Sequence, residues 1–468
     1  MTIPKNFKIK IKRSYLVAAS VNLMSVLAGV GYAWSSPCIP KLTGKVDPDS
    51  NPLPQSASVE QISWITSLHC LGAICGPLLT GIVAAKFGKK KTLLLFSIPQ
   101  MISNILLIFA NSVTLFYIAR FLMGIGTGCV FSIVPMYVAE ITETTHRGRT
   151  SMLMPLMITV TQDFVFVIGS YVTIATLAMI SLVPSILFLI IFGIFIPESP
   201  YYFIKKNDLK EAHTILVKLR QNDDVNDELE DIVKSVNDSE SQFSFGAFLK
   251  AKTVQKSFFI SFCLMFFQQF NGINAIFAYQ QSILDESNSP LPADKAVMIV
   301  ALVSLVAIFL VSKLVDSFGR RILLISSYTG QLLSLLSLGL YFHLQNKNVN
   351  IDFLFWLPVT NIIGYMMSFK LGAGPISWTI AGEIFPSNYK FILNPLIAFI
   401  MNIMSFLVTF VFPRFWAKFS LEVSFWVFSV VVACALPFVI FMVPETKGKS
   451  FIEIQRKLEG ITGPNFIK

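Results

Sequence analysis

Residues 294–344 read DKAVMIVALVSLVAIFLVSKLVDSFGRRILLISSYTGQLLSLLSLGLYFHL. Two apolar runs, 294–315 and 322–344, flank a short polar connection that ends in Gly319, Arg320 and Arg321. Each run has the roughly 20 residues that a helix needs to cross about 30 Å of hydrocarbon. A segment in lipid must satisfy its own backbone polar groups, which here means a helix. The pattern continues in both directions. Toward the N-terminus lie apolar runs at 14–34, 61–84, 92–110, 113–139, 151–173, 175–196 and 257–283. Toward the C-terminus lie 353–382, 391–412 and 420–443. The expected fold class is an all-α membrane protein of twelve transmembrane helices.

Composition points the same way. The 468 residues are 54% hydrophobic and only 14% charged, and include 43 Phe. Mean hydropathy is +0.66. Soluble domains average roughly 25% charged residues, and one core cannot hide this much apolar surface from water. The net charge of +10 is divided into short basic clusters between apolar runs, which is a topology signal and not a nucleic-acid footprint. With both termini in the cytoplasm, 29 of the 37 Lys and Arg fall in inner segments and 6 in outer loops. Arg120 and Lys370 lie within runs. The basic start leads into an apolar run with no small-residue cleavage site after it, so a retained first span is expected.

The chain repeats itself. Gly88-Lys89-Lys90 recurs as Gly319-Arg320-Arg321, Glu140 with Arg147 as Glu383 with Lys390, and Pro197-Glu198 as Pro444-Glu445. The offsets are 231, 243 and 247 residues. Two related six-helix halves are expected, 1–196 and 257–468, joined by a polar cytoplasmic linker, 197–256. Such halves rock about a midplane solute site. Within the linker, DLKEAHTILVKLR places Leu209, Ala212, Leu216 and Leu219 on one helical face. This is either a helix lying under the bundle or a solvated spacer. The sequon at Asn237 falls in the linker and is expected to stay unmodified.

Several chemistries are absent from the pattern. No GxxxxGK[ST] loop marks an ATP-driven pump. Gly124, Gly126 and Gly128 lie in a span and read as packing glycines. The four His and six Cys show no metal or redox spacing. No cofactor, no metal and no enzymatic activity are expected.

Polar residues inside the spans are the informative ones, because lipid tolerates them only against a cavity or another helix. FFQQFNGINAIFAYQ at 266–280 carries Gln268, Gln269, Asn271 and Asn274 around Gly272. Amides both donate and accept, which suits hydroxylated solutes; interhelical bonding is the bland alternative. KLGAGPISWTIAGE at 370–383 breaks helical continuity at Gly372, Gly374 and Pro375, and Trp378 follows. An indole face suits the C–H face of a pyranose, although a lone Trp is more often packing. Lys370 stands mid-span, with Asp163 as its candidate partner. It either donates to solute oxygens, favouring an acidic or very polar solute, or ties two spans together.

On these motifs, in this order and along essentially its whole length, the chain resembles the sugar porter family of the major facilitator superfamily. GYAWSSPCIP in the first span resembles insect trehalose and hexose facilitators in particular. The resemblance implies that Gln268, Gln269, Asn274 and Trp378 contact sugar, with Ser304 where several relatives have Asn. It also implies a cytoplasmic latch. The second acid–Gly-Arg-Arg copy is intact as Asp316, Gly319, Arg320 and Arg321. The first has Ala85 for the acid and Lys89-Lys90 for the arginines. Glu140, Arg147, Glu383, Lys390, Glu198 and Glu445 supply the other charges. Topology signalling and helix capping are the plainer roles for these residues. Pro155 and Asn402 depart from the usual hexose-site pattern. Proton-coupled relatives carry an acid after Gly-Tyr, where Ala33 follows Tyr32 here, so uniport is expected. Arg120 is either an outer snorkelling residue or a structural tie. A non-transporting sensor and a proton-coupled symporter stand as alternatives, and a peptide or drug carrier is a weaker one. The expected partners are a small-molecule sugar and the lipid bilayer of the plasma membrane, with the protein acting as a monomer.

Overall fold

The computed structural model describes residues 13–45, 51–143, 150–238, 252–385, 387–447 and 453. They are helical, with no strand among them. Span 1 combines Arg13–Ala33 and Ser35–Leu42. Spans 2 to 6 are Val59–Phe87, Lys89–Ile108, Val113–Ile141, Leu153–Gly169 and Ile174–Phe195. Span 7 is split into Lys252–Phe270 and Ile273–Glu286, and spans 8 and 9 are Ala293–Ser317 and Arg320–Asn346. Span 10 runs through Leu357–Ser368, a wide π-type turn at Phe369–Ala373, and Pro375–Ile384. Ser387–Phe419 and Leu421–Met442 are spans 11 and 12. Nine described segments are individually long and apolar enough to cross a membrane. The other three crossings are the short span 5, span 8 and the broken span 10. All twelve sequence runs therefore correspond to helices, with ends shifted by a few residues.

Small residues set the closest approach. A Cβ on Gly72 would lie 2.1 Å from the Phe121 carbonyl oxygen, and one on Gly124 2.1 Å from that of His69. Spans 2 and 4 thus touch backbone to backbone, and Gly124 and Gly128 are the packing glycines that the sequence suggested.

The core is divided unequally by depth. One cluster takes buried residues from all twelve spans, including Ala33, Ile65, Phe116, Phe166, Ile276, Val300, Ile376 and Phe412. From the first six spans it draws mainly the ends opposite the 197–256 linker. Toward the linker side, those spans form their own cluster around Val21, Phe96, Val134, Phe188 and Phe192. A separate cluster around Met265, Ala381 and Ile397 belongs to the second six. The halves share a core on the far side and have separate cores on the linker side.

The linker contributes helices Pro200–Lys205, Leu209–Arg220 and Asn226–Asp238. Asp208 caps the second helix by accepting from the Glu211 N–H. Ala212, Ile215, Leu216 and Leu219 are buried, whereas Leu209 is 49% exposed. The apolar face therefore starts one turn later than the sequence pattern suggested and gains Ile215. Arg220 donates to the Ile141 carbonyl at 2.8 Å and pairs with Glu228 at 2.6 Å. The helix is docked on the end of span 4 and is not a free spacer.

Candidate functional site

Two interruptions in otherwise continuous helices define the site. Span 7 breaks at Gly272, whose φ of +92° is in the left-handed region that favours glycine. A Cβ there would also lie 2.5 Å from the Phe428 ring, so the position is doubly restricted. Span 10 breaks at Phe369–Ala373, ahead of Pro375, which has no N–H to give. Broken helices in lipid leave backbone groups to be satisfied by side chains.

Gln268 supplies that partner, donating from Nε2 to the Ala373 and Gly374 carbonyls at 2.9 and 2.8 Å. Gln269 donates to Gln268 Oε1 at 3.2 Å, and Asn274 in turn donates to Gln269 Oε1. Gln268, Gln269 and Asn274 are thus one amide chain leading from span 7 to the break in span 10. Trp378, just beyond that break, is 37% exposed. Gly372 lies flat on span 9, where a Cβ would meet the Leu323 carbonyl oxygen at 2.4 Å.

Span 9 completes the connection, which sequence reasoning missed. Asn271 donates to Gln331 Oε1 at 2.7 Å, and Gln331 donates to Ser327 Oγ at 3.0 Å. Ser327 donates to the Ser368 carbonyl and accepts from the Ala373 N–H, at 2.6 and 2.8 Å. Tyr365 donates to the Asn271 carbonyl at 3.0 Å. The available signal was weak: Ser327 and Gln331 stand one turn apart, but Ser326, Thr329, Ser334 and Ser337 in the same span look equally polar. Asn402 does not reach this network, and donates to the Ala398 carbonyl in its own helix at 2.9 Å.

Lys370 and Ser304 form a second group at the same break. The Lys370 ammonium donates to Ser304 Oγ, lies 3.5 Å from the Ser304 carbonyl oxygen, and faces Asp163 Oδ2 at 4.0 Å. A charge at this depth costs about 2.5–3.5 kcal/mol even on lenient insertion scales, so each ion needs a partner. Span 5 supplies the acid and span 10 the base, and the pair bridges the two halves. Arg120 is also fully buried. It donates to the Ile65 and Gly31 carbonyls and to Ser35 Oγ at 3.0–3.1 Å, and its guanidinium lies 4.9 Å from the Trp34 ring centroid. It ties spans 1, 2 and 4 together and does not snorkel, because neighbouring carbonyls satisfy its donors in place.

On the linker side, the repeated Gly-basic-basic motifs have a direct physical explanation. The Glu198 carboxylate accepts from the Lys89 and Lys90 N–H groups at 3.0 Å, and Glu445 accepts from those of Arg320 and Arg321 at 2.9 and 3.1 Å. Each acid caps a helix distant in sequence. A Cβ on Gly88 or Gly319 would lie 2.4 or 2.5 Å from the respective carboxylate oxygen, which is why glycine precedes the basic pair. Lys89 also pairs with Glu140, and Arg320 with Glu383 at 3.7 Å. These ion pairs lie within one half or the other. Side chains of Asp316 and Lys390, and the whole of Arg147, lie outside the described residues. Burial pushes the Glu198 carboxyl above the usual range, and its backbone donors offset only part of that. At Glu445 burial also pushes upward, but backbone N–H groups of Lys447, Arg321, Arg320 and Thr446 outweigh it and the pKa falls.

The far side is sealed by contacts between halves. Thr66 and Tyr279 hydroxyls meet at 2.7 Å, the Gln281 N–H donates to Ser36 Oγ at 3.2 Å, and Ser170 donates to Gln281 Oε1 at 3.2 Å. Trp64 packs edge-on to Phe410 at 4.7 Å. Lys45–Glu286 at 3.5 Å and Arg414–Glu60 at 3.6 Å are ion pairs of opposite polarity across the same seam. The central groups therefore lie behind a closed far side, beneath halves whose linker-side cores are separate.

Comparisons with known proteins agree with this geometry. The family described as Sugar (and other) transporter matches residues 16–458. A facilitated trehalose transporter, Tret1 of Polypedilum vanderplanki, is 31% identical over 460 residues, covering 98% of this chain and 90% of that protein. A Tret1-2 homolog of Drosophila simulans is 32% identical over 448 residues, covering 95% and 91%. Among solved structures, the inward-open conformation of the xylose transporter XylE from E. coli superposes with a TM-score of 0.77. It is 22% identical and covers 95% of this chain and 99% of that one.

Proposed function

The chain belongs to the Sugar (and other) transporter family and has the major facilitator fold, and from that premise we propose that it moves a sugar, trehalose or a hexose, by facilitated diffusion. The observation that carries the reading is the Gln268 amide bridging the break in span 7 to the break in span 10. In this reading Gln268, Gln269, Asn274, Trp378, Ser304 and Lys370 line the solute path. The halves, 1–196 and 257–468, rock about it, and the linker and both termini face the cytoplasm at the plasma membrane. The bias of 29 basic residues to 6 supports that orientation. The state described above is then inward-open, with the seal facing outside.

The inner charges form the latch of the opposite state. While the inner side is open, Lys89 with Glu140 in one half and Arg320 with Glu383 in the other stay paired locally, Glu198 and Glu445 stay on backbone N–H groups, and Arg321 donates to the Ile440 carbonyl. Arg147, Lys390 and Asp316 complete the set. Individual exposed pairs contribute only about 0–1 kcal/mol, so the latch acts as a network. With Ala33 after Gly31-Tyr32, span 1 offers no titratable carrier at the coupling position.

Counterflow of labelled trehalose and glucose in proteoliposomes containing the purified monomer tests the reading. Exchange without an ion gradient is expected. Accumulation above equilibrium under an imposed proton gradient would establish a symporter. Saturable binding without counterflow would establish a sensor.

A further inference from the structure

Asp163, which is buried, and Lys370, which is mostly covered, are opposite charges contributed by different halves. Lys370 lies in the break of span 10, three and four residues before the Ala373 and Gly374 carbonyls that Gln268 holds, and the proposed solute path includes it. It is not fully enclosed, with 13% of its side chain accessible. A lone ammonium in such a place is an anion receptor, because charge-assisted hydrogen bonds to carboxylates are among the strongest available. Asp163 removes that property. It stands 4.0 Å from Lys370 Nζ, too far for a hydrogen bond and close enough for charge compensation. The buried Asp163 Oδ2 accepts no hydrogen bond from the described residues. Ser304 supplies the directed contact to Lys370, and Asp163 supplies charge alone.

We infer that Asp163 is the specificity-determining residue for solute charge: it occupies the electrostatic place of a solute carboxylate and so restricts the path to uncharged sugars. An acidic sugar would have to displace Asp163 from Lys370, leaving a buried carboxylate uncompensated and facing a second one. A neutral polyol leaves the pair intact and can still accept from the ammonium. The inference rests on the proposed solute path; of the two readings of Lys370 it keeps donation to solute oxygens and drops the preference for an acidic solute.

The test compares neutral sugar with its uronic acid. Parent protein is expected to exchange glucose or trehalose and to ignore glucuronate. Asp163→Asn should gain glucuronate binding of about tenfold or more, the factor that corresponds to about 1.4 kcal/mol and is within reach of one charge-assisted contact. The double variant Asp163→Asn, Lys370→Arg should show the same gain, because a guanidinium is a permanent cation whose donors also suit a carboxylate. Lys370→Ser should do the reverse and gain affinity for glucosamine, whose ammonium would compensate Asp163. It also keeps the test open where the Asp163 variants do not fold. Glucuronate- and glucosamine-induced thermal stabilisation in detergent is read alongside uptake. A parent that moves no neutral sugar therefore sinks the transport reading without removing this test. The inference is overturned if folded variants gain neither ligand, or if the parent already accepts glucuronate as well as glucose.

Discussion

Gln269 has no backbone partner among the described bonds; its amide joins Gln268 to Asn274. Gln269→Leu cuts that chain at its middle and leaves Asn274 without an acceptor. Solute affinity should fall about fivefold, since a hydrogen bond contributes about 1 kcal/mol net, while the protein still purifies folded. Isothermal titration with the transported sugar measures this, and unchanged affinity would take Gln269 out of the site. The two capping acids make a sharper residue-level contrast. Glu445 has a lowered pKa, so its stabilisation is present above the ordinary carboxylate pKa and is lost as pH falls through its folded value. Glu445→Gln should therefore cost thermal stability at pH 7, and the cost should shrink progressively as pH falls below the ordinary carboxylate pKa. Glu198 has a raised pKa, so the parent gains stability from this group as pH falls. Glu198→Gln keeps an acceptor oxygen and should be nearly neutral at pH 7, with the parent pulling ahead on acidification. Parallel unfolding curves for the two variants across pH would defeat this account. Neither difference could be read from Pro-Glu in the sequence, because both copies look alike and only burial separates them.

Spans 7 and 10 are each two helices; the sequence foretold the break in span 10 from Gly372-Ala-Gly-Pro375, whereas span 7 read as one run, 257–283, with Gly272 inside it. It could not foretell that span 9 joins them, because the joining groups, Gln331 and Ser327, lie about 60 and 45 residues from their partners. A polar residue in a span announces that it needs a partner and not which one it has. The same limit applied to Lys370, where an acid in span 5 was suspected but the Ser304 contact was not. The break in span 7 can be tested as an element. Gly272→Val forces a β-branched residue to positive φ and drives its Cβ into Phe428, with backbone strain alone of order 1–3 kcal/mol. Transport should be lost and the thermal midpoint lowered. Adding Phe428→Ala should recover part of the midpoint and little of the transport, because the steric clash is relieved and the backbone strain is not. Full recovery of transport would show that the kink itself is dispensable.

At the scale of the molecule, twelve helices were legible from apolar run length alone, since lipid admits few alternatives. Which side is open was not legible, because both states use the same runs. It follows from a core shared at one end and divided at the other. The seam ion pairs allow that balance to be moved. Glu286→Lys sets two cations against each other at the seal, so the far side should open more often. This would appear as faster alkylation of a cysteine placed at Ser282. Reversing Lys45→Glu in the same protein should return the rate toward the parent, and a double variant as reactive as the single one would show that the pair does not hold the seam.

The seal is assembled from hydroxyls, amides, edge-on rings and half-exposed ions, and no disulfide crosses it among the described residues. Contacts of this kind are individually worth about 0.2–1.5 kcal/mol and are largely exchanged for water when they part. Two shapes separated by so little interconvert under ordinary Brownian agitation. On the proposed function, such a carrier runs as a passive turnstile whose direction of net flow is decided by which side holds more sugar.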